Sequence, residues 1–171
     1  MINPQQETRA RREQFERLYD AYVDDVLRVS YFYLGDRQQA EDVCQDVFVR
    51  LLTRAPQIQP GHEKAWLLKV ALNRCRDLWR AAWVRRVVLG SPLECIPGTD
   101  DIADYARKAE VMEAVHALPL AFKEVVLLHY YQGFGIAEIG AMLGLPEGTI
   151  SSRLSRARKK MEALLKGAET P

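Results

Sequence analysis

IAEIGAMLGLPEGTISSRLSRARKKM, residues 136–161, joins two helical patterns through a Gly-Leu-Pro turn, and its second half decides how the chain is read. Five basic residues crowd that half, Arg153, Arg156, Arg158, Lys159 and Lys160, with no acid between Glu147 and Glu162. An α-helix turns about 100° per residue, so Ile150, Leu154, Ala157, Met161 and Leu164 fall within about 40° of one line. That apolar stripe is expected to pack on the preceding helices. The opposite arc carries Gly148, Ser152, Ser155 and Lys159, with Arg156 at its edge. Small hydroxyl side chains beside one or two cations suit a helix that enters a DNA groove. They allow close approach, Arg can bond a guanine edge bidentately, and Ser can bond bases or phosphates. Arg153, Arg158 and Lys160 lie on the flanks, where phosphates would be. Pro146 sits near the first helical position, where its missing N–H costs nothing. The helix N-terminus would also direct partial positive charge at DNA. Two helices joined by a short Gly-containing turn, the second one basic, predict a helix-turn-helix. The plain alternative is a solvated basic face on a bundle helix.

Working outward, helical periodicity is nearly continuous and strand signals are almost absent. Phe15, Leu18, Tyr19, Tyr22, Val26, Val29 and Tyr33 recur in steps of three and four, one stripe of an amphipathic helix. Leu34-Gly35 is its stop. Asp36 with Gln39 resembles a capping box for a second helix whose Ala40, Val43, Val47, Phe48 and Leu51 point inward. APQIQPG at 55–61 breaks that helix, and a third spans about Glu63–Trp83. Residues 87–104 lose the periodicity and hold two Pro, two Gly and four acids, as a linker would. Helical pattern resumes near Tyr105, stops at Leu118-Pro119, and covers about Leu120–Gln132 before the turn at 133–135. The expected fold is all-α: two small helical domains, 1–86 and 105–171, joined by a flexible linker at 87–104, the C-terminal one a helix-turn-helix.

Charge follows the same division. The whole chain of 171 residues carries a formal net charge of only +1. Residues 1–89 carry a net +3, residues 90–147 a net −6 and residues 148–166 a net +5. An acidic middle between two basic parts points to nucleic acid. On the third helix Lys69, Asn73, Arg76 and Arg80 fall within a wedge of about 60°, with Leu67, Val70, Ala71 and Leu78 roughly opposite. Three cations and an amide suit a nucleic-acid backbone or an exposed base, and equally an ordinary solvated face. Arg74 does not fit the wedge; the wheel sets it beside the apolar stripe, where it could pair with an acid of helix two. Trp66, Trp79 and Trp83 could stack on bases, though packing is the simpler use of each. Helix two exposes Glu41, Asp42, Gln45 and Asp46, a protein-binding surface or simply acids favoured in a first turn.

The three cysteines, Cys44, Cys75 and Cys95, are widely spaced and imply no disulfide framework. His62, His116 and His129 lack partners at ligand spacing, so no metal or other cofactor is expected. No phosphate-binding loop, GxSxG or HExxH is present, and no nucleophile–base pair can be placed, so neither a catalytic residue nor a small-molecule substrate is expected. The start is polar and no apolar run reaches membrane-spanning length. The expectation is a cytoplasmic, non-enzymatic protein without membrane insertion.

AEDVCQDVFVRLL (40–52), AWLLKVALNRCRDLWR (65–80) and IAEIGAMLGLPEGTISSRLSRARKKM (136–161) together resemble the extracytoplasmic-function branch of the bacterial sigma-70 family of RNA polymerase sigma factors. The order of the motifs, the length and the linker match that family over nearly the whole chain. The resemblance implies roles that the helical wheel does not supply. The stretch at 40–52 resembles the helix that docks on core RNA polymerase, which makes Glu41, Asp42, Gln45 and Asp46 interface residues. The stretch at 65–80 resembles the segment that captures the −10 element as single-stranded DNA, with Lys69, Asn73, Arg76 and Arg80 as contacts. The loop near 54–63 would hold a flipped base. The last helix would read the −35 duplex through Thr149, Ser151, Ser152, Arg153, Ser155, Arg156, Arg158 and Lys159. Promoter DNA, core polymerase and an anti-sigma factor are the implied partners. Two departures stand out. Gly135-Ile136-Ala137 enters the first helix of the helix-turn-helix where Ser or Thr is frequent, and Gly140 stands where Ala is usual. A stand-alone helix-turn-helix regulator, or a helical adaptor binding only protein, would be the rival functions.

Overall fold

The computed structural model describes residues 3–54, 56–89 and 102–168. The described residues form helices α1 (Pro4–Leu34), α2 (Arg37–Arg54), α3 (Glu63–Leu89), α4 (Ile102–Ala117), α5 (Leu120–Val126), α6 (Ile136–Leu143) and α7 (Glu147–Ala168), with no strand among them. A π-helical turn, Leu127–Tyr131, extends α5. The chain divides into two compact units, Met1–Tyr31 with Arg37–Pro92, and Phe32–Asp36 with Leu93–Pro171. Helix α3 continues to Leu89 and α4 begins at Ile102, so only 90–101 of the expected linker lies outside the described residues.

The first unit is built on α1, α2 and α3. Its core takes Val26 and Val29 from α1, Val43, Val47 and Leu51 from α2, and Leu67, Leu68, Leu72 and Cys75 from α3. Full burial of each large aliphatic side chain contributes about 1.5–3 kcal/mol before the entropy cost of ordering it. Ser30 is buried mid-helix but not orphaned, because its hydroxyl donates to the Val26 carbonyl at 2.7 Å. Helix α1 begins eleven residues before the apolar stripe that announces it. Asn3 starts it, its side-chain Oδ1 accepting from the Gln5 N–H at 3.2 Å and its carbonyl from the Gln6 N–H at 2.8 Å. Arg9–Glu13 and Arg12–Glu16 ion pairs, each 2.9 Å, then run along the exposed turns. Good helix formers and i,i+4 pairs sustain a helix without any packed face, so hydrophobic periodicity cannot detect it.

The second unit packs α4, α5 and α6 against α7. Leu118, Val126 and Ala157 form one nucleus, with Phe122 and Met161 against it. Val115, Leu127, Leu128, Ile139 and Ile150 are fully enclosed. The π-helical turn replaces the plain helix expected to Gln132, and closes with the Gln132 N–H on the Leu127 carbonyl at 3.1 Å. Its wider period keeps Leu127 and Leu128 inward and leaves Tyr130 and Tyr131 exposed. Lys123 is buried here, and burial pulls its ammonium down to about 8. His116 is lowered to about 4 by burial first and by Lys123 second.

Candidate functional site

The α6–α7 pair is set by its turn. Helix α6 starts at Gly135, which offers no capping side chain. Half a capping box remains, because the Gly135 N–H donates to Glu138 Oε2 at 3.2 Å. At the other end Gly144 takes φ 66°, the left-handed conformation that closes helices. The next residue turns back so sharply that the Leu145 N–H bonds the Gly140 carbonyl at 3.0 Å. A Cβ added at Gly140 would lie 2.8 Å from the Leu145 carbonyl oxygen. The absence of a side chain at 140 therefore permits the tight turn. Pro146 lies one residue before α7, and its carbonyl accepts from Thr149 at 3.0 Å and Ile150 at 3.2 Å.

On α7 the wheel is realised except at Leu164, expected inward, and Ser155, expected outward. Ile150, Leu154 and Ala157 are buried and Met161 is half-buried, but Leu164 is 38% exposed. Beyond Met161 the inward position passes to Leu165, half-buried like Met161, while Leu164 turns outward. Gly148, Ser151, Ser152, Arg156, Arg158, Lys159 and Lys160 are exposed, and Thr149, Arg153 and Ser155 are half-buried. Ser152 donates its hydroxyl to the Thr149 carbonyl at 3.1 Å and keeps acceptor capacity outward. Among the described residues no ion pair engages Arg153, Arg156, Arg158, Lys159 or Lys160. The result is an unneutralised cationic ridge with small residues at its leading end.

Helix α3 carries a second polar stripe. Lys69, Asn73 and Arg80 are exposed, and Arg76, half-buried, donates through Nη1 to Asn73 Oδ1 at 3.1 Å. The opposite face differs from the expectation in detail. Leu67 and Ala71 are buried as expected, Leu68, Leu72 and Cys75 join them, and Val70 and Leu78 are only half-buried. Trp66 and Trp79 are half-buried, and the side chain of Trp83 lies outside the described residues.

Helix α2 presents Glu41, Asp42 and Gln45 exposed and Asp46 half-buried. Arg37 Nε donates to Glu41 Oε1 at 3.0 Å and Gln38 Nε2 to Asp42 Oδ1 at 3.4 Å, both along the helix. Asp46 is held differently, by Arg74 Nε of α3 at 2.7 Å. Beside these acids lies a groove of about 380 Å³ between α1 and α2. Phe15, Tyr19 and Phe48 line it as an aromatic cluster, with Tyr19 and Phe48 ring centroids 4.9 Å apart. Tyr19, Val49 and Leu52 leave 42%, 49% and 50% of their surface exposed. Cys44 lines the groove as a protonated thiol, pushed up to about 11 by burial and by Asp24 and Glu41. The inward stripe of α2 did not single out this groove. Val49 and Leu52, apolar yet off that stripe, were the available signal.

The three surfaces fall on two family matches. The profile of Sigma-70 region 2 matches residues 18–85, and that of Sigma-70 region 4 matches residues 108–161. The chain is 31% identical over 157 residues to the ECF RNA polymerase sigma factor SigL of Mycobacterium tuberculosis, covering 86% of both chains. It belongs to the extracytoplasmic-function sigma factors of the sigma-70 family.

Within this family it is also 29% identical over 157 residues to SigE of Mycolicibacterium smegmatis, covering 88% of this chain and 61% of that relative. The chain thus spans about three fifths of the length of SigE, and likewise 60% of BldN of Streptomyces coelicolor. Among solved structures the fold is similar to the sigma factor RpoE of Bartonella quintana in complex with the anti-sigma factor NepR. The TM-score is 0.79 at 22% identity, over 90% of this chain and 98% of that one. It is similar also to CnrH in complex with the cytosolic domain of CnrY, with TM-score 0.69 and 25% identity over 93% of this chain and 91% of that one. Region 2 takes in the α2 acids and the α3 stripe, and region 4 takes in the α6–α7 turn and α7 as far as Met161. No described helix is long and apolar enough to cross a membrane.

Proposed function

We propose that this sigma factor binds core RNA polymerase, directs it to promoters through two separate DNA contacts, and promotes initiation without chemistry of its own. The α7 ridge reads the −35 duplex in the major groove. Ser152, Ser155, Arg156 and Lys159 face base edges, while Thr149, Ser151, Arg153 and Arg158 sit toward phosphates. The α3 stripe of Lys69, Asn73, Arg76 and Arg80 tracks the −10 strand once it is single, and the loop near 54–63 holds an extruded base. Glu41, Asp42, Gln45 and Asp46, with the adjoining apolar groove, dock on core polymerase. This gives an apolar centre with a charged rim, the usual anatomy of a protein interface. The protein acts in the cytoplasm, where transcription takes place. An anti-sigma factor restrains it, as the complexes of RpoE with NepR and of CnrH with CnrY suggest by analogy.

The observation that carries this reading is the unneutralised cationic ridge of α7, present on a chain that also carries the α2 acids and groove. A ridge alone would suit a stand-alone regulator. The test is run-off transcription with purified core polymerase over a promoter library. Initiation from a defined promoter class is expected only with this chain added. No initiation across the library, together with tight binding to a palindromic duplex by the chain alone, would favour the stand-alone regulator.

A further inference from the structure

We propose that Arg74 is a positioning residue for polymerase docking: its guanidinium holds the Asp46 carboxylate in one orientation on α2. That acidic face then meets a cationic partner surface already formed. The inference rests on the reading of α2 as the polymerase-docking helix and adds a residue from a different helix to it.

The wheel leaves Arg74 without a named partner, outside the stripe of Lys69, Asn73, Arg76 and Arg80. The structure assigns it a bond across helices. Its Nε donates to Asp46 Oδ2 at 2.7 Å, a charge-assisted length. The two side chains retain 36% and 46% of their exposure, so the pair lies at the surface rather than in the core. Asp46 Oδ2 is thereby occupied, and Oδ1 has no protein partner among the described residues. One carboxylate oxygen is anchored and the other is left to accept from a partner.

The neighbouring acids are not held this way. Among the described residues Glu41 and Asp42 are tied only to Arg37 and Gln38, one turn back on their own helix. Such exposed i,i+4 contacts are weak and exchange readily. Asp46 is fixed from α3, whose buried residues Leu72 and Cys75 flank Arg74 in sequence and anchor its backbone. An exposed ion pair of this kind adds little to folding stability. It does remove, before binding, the rotamer freedom that Asp46 would otherwise lose on docking. Loss of that pre-organisation should weaken docking by roughly three- to tenfold.

The experiment measures affinity of the full chain for core polymerase with Arg74→Ala, Arg74→Lys, Asp46→Ala and the Arg74→Ala/Asp46→Ala double variant. Arg74→Ala should weaken binding by roughly three- to tenfold with an unchanged melting temperature, and Arg74→Lys should recover part of the loss. In the Asp46→Ala background Arg74→Ala should cost nothing further, because it acts through that carboxylate. The same loss in both backgrounds would mean that Arg74 touches the partner itself and would overturn the proposal. So would a wild-type affinity of Arg74→Ala beside a weakened Asp46→Ala, which leaves the docking reading intact. An undiminished affinity of Asp46→Ala would remove the docking role of Asp46 and the proposal together. A salt slope of promoter binding reduced by about one, with core affinity intact, would reassign Arg74 to a phosphate.

Discussion

Gly140→Ala opposes a local rule to a tertiary one. Helix propensity says the change should help, because Gly in a helix interior is about 1 kcal/mol worse than Ala. The structure says otherwise. The new Cβ would lie 2.8 Å from the Leu145 carbonyl oxygen, against the 3.4 Å or more of ordinary contact. That oxygen is backbone, in a turn pinned by Gly144 at φ 66° and by the Leu145–Gly140 hydrogen bond of 3.0 Å. It cannot swing aside as a side chain would. Overpacking of this kind costs about 1–3 kcal/mol, so the net expectation is a loss of roughly 1 kcal/mol. For a unit of this size that is a fall of about 4–8 °C in melting temperature. Gly148→Ala is the control, since a Cβ at exposed Gly148 meets nothing within 4 Å. It should leave stability equal or slightly raised. The assay is thermal and urea unfolding of both variants, with duplex −35 affinity as second readout. A shifted Leu145 would tilt α7 against α6 and weaken that binding. A Gly140→Ala variant more stable than the parent, with unchanged duplex affinity, would refute the reasoning.

Further outcomes follow from other sites. Arg156→Ala should cost roughly 1–3 kcal/mol at one −35 position in a promoter-variant binding series; an equal loss on every sequence would make it a phosphate contact. Val49→Asp should weaken core-polymerase binding by at least tenfold in a titration while sparing the fold, since Val49 is already 49% exposed; unchanged affinity would remove the groove from the interface. His116 has a folded pKa of about 4, below its ordinary 6.5, so the unfolded chain takes up its proton first as pH falls. Its contribution is complete above pH 6.5 and is lost between there and pH 4, at roughly 1 kcal/mol per pH unit after allowing for its partial exposure. Urea midpoints across that window should flatten in His116→Gln; an unchanged slope would place the titrating group elsewhere.

Much of the fold and part of the candidate site were legible in residues close together in sequence. The end of α1 at Leu34, the inward face of α2, the span of α6 and the buried stripe of α7 as far as Met161 all follow from apolar spacing. That spacing records which side of a helix leaves water, and burial is the dominant favourable term. Where a helix has no packed side, as in Pro4–Gln14, the signal is silent although the helix forms. The π-helical turn at Leu127–Tyr131 escaped for a related reason, since its few residues do not establish a separate period.

The local sequence also determined which side chains α7 turns outward, because 3.6 residues per turn orders them whatever they pack on. Only the tertiary structure decided the rest. It placed Arg74 on Asp46, 28 residues away, and opened an apolar groove between α1 and α2. It also turned Gly140 from a weak helix residue into the one that admits the Leu145 carbonyl. Each depends on how backbones from different elements approach one another. That distance is set by the packing of whole helices, and no short stretch of sequence contains it.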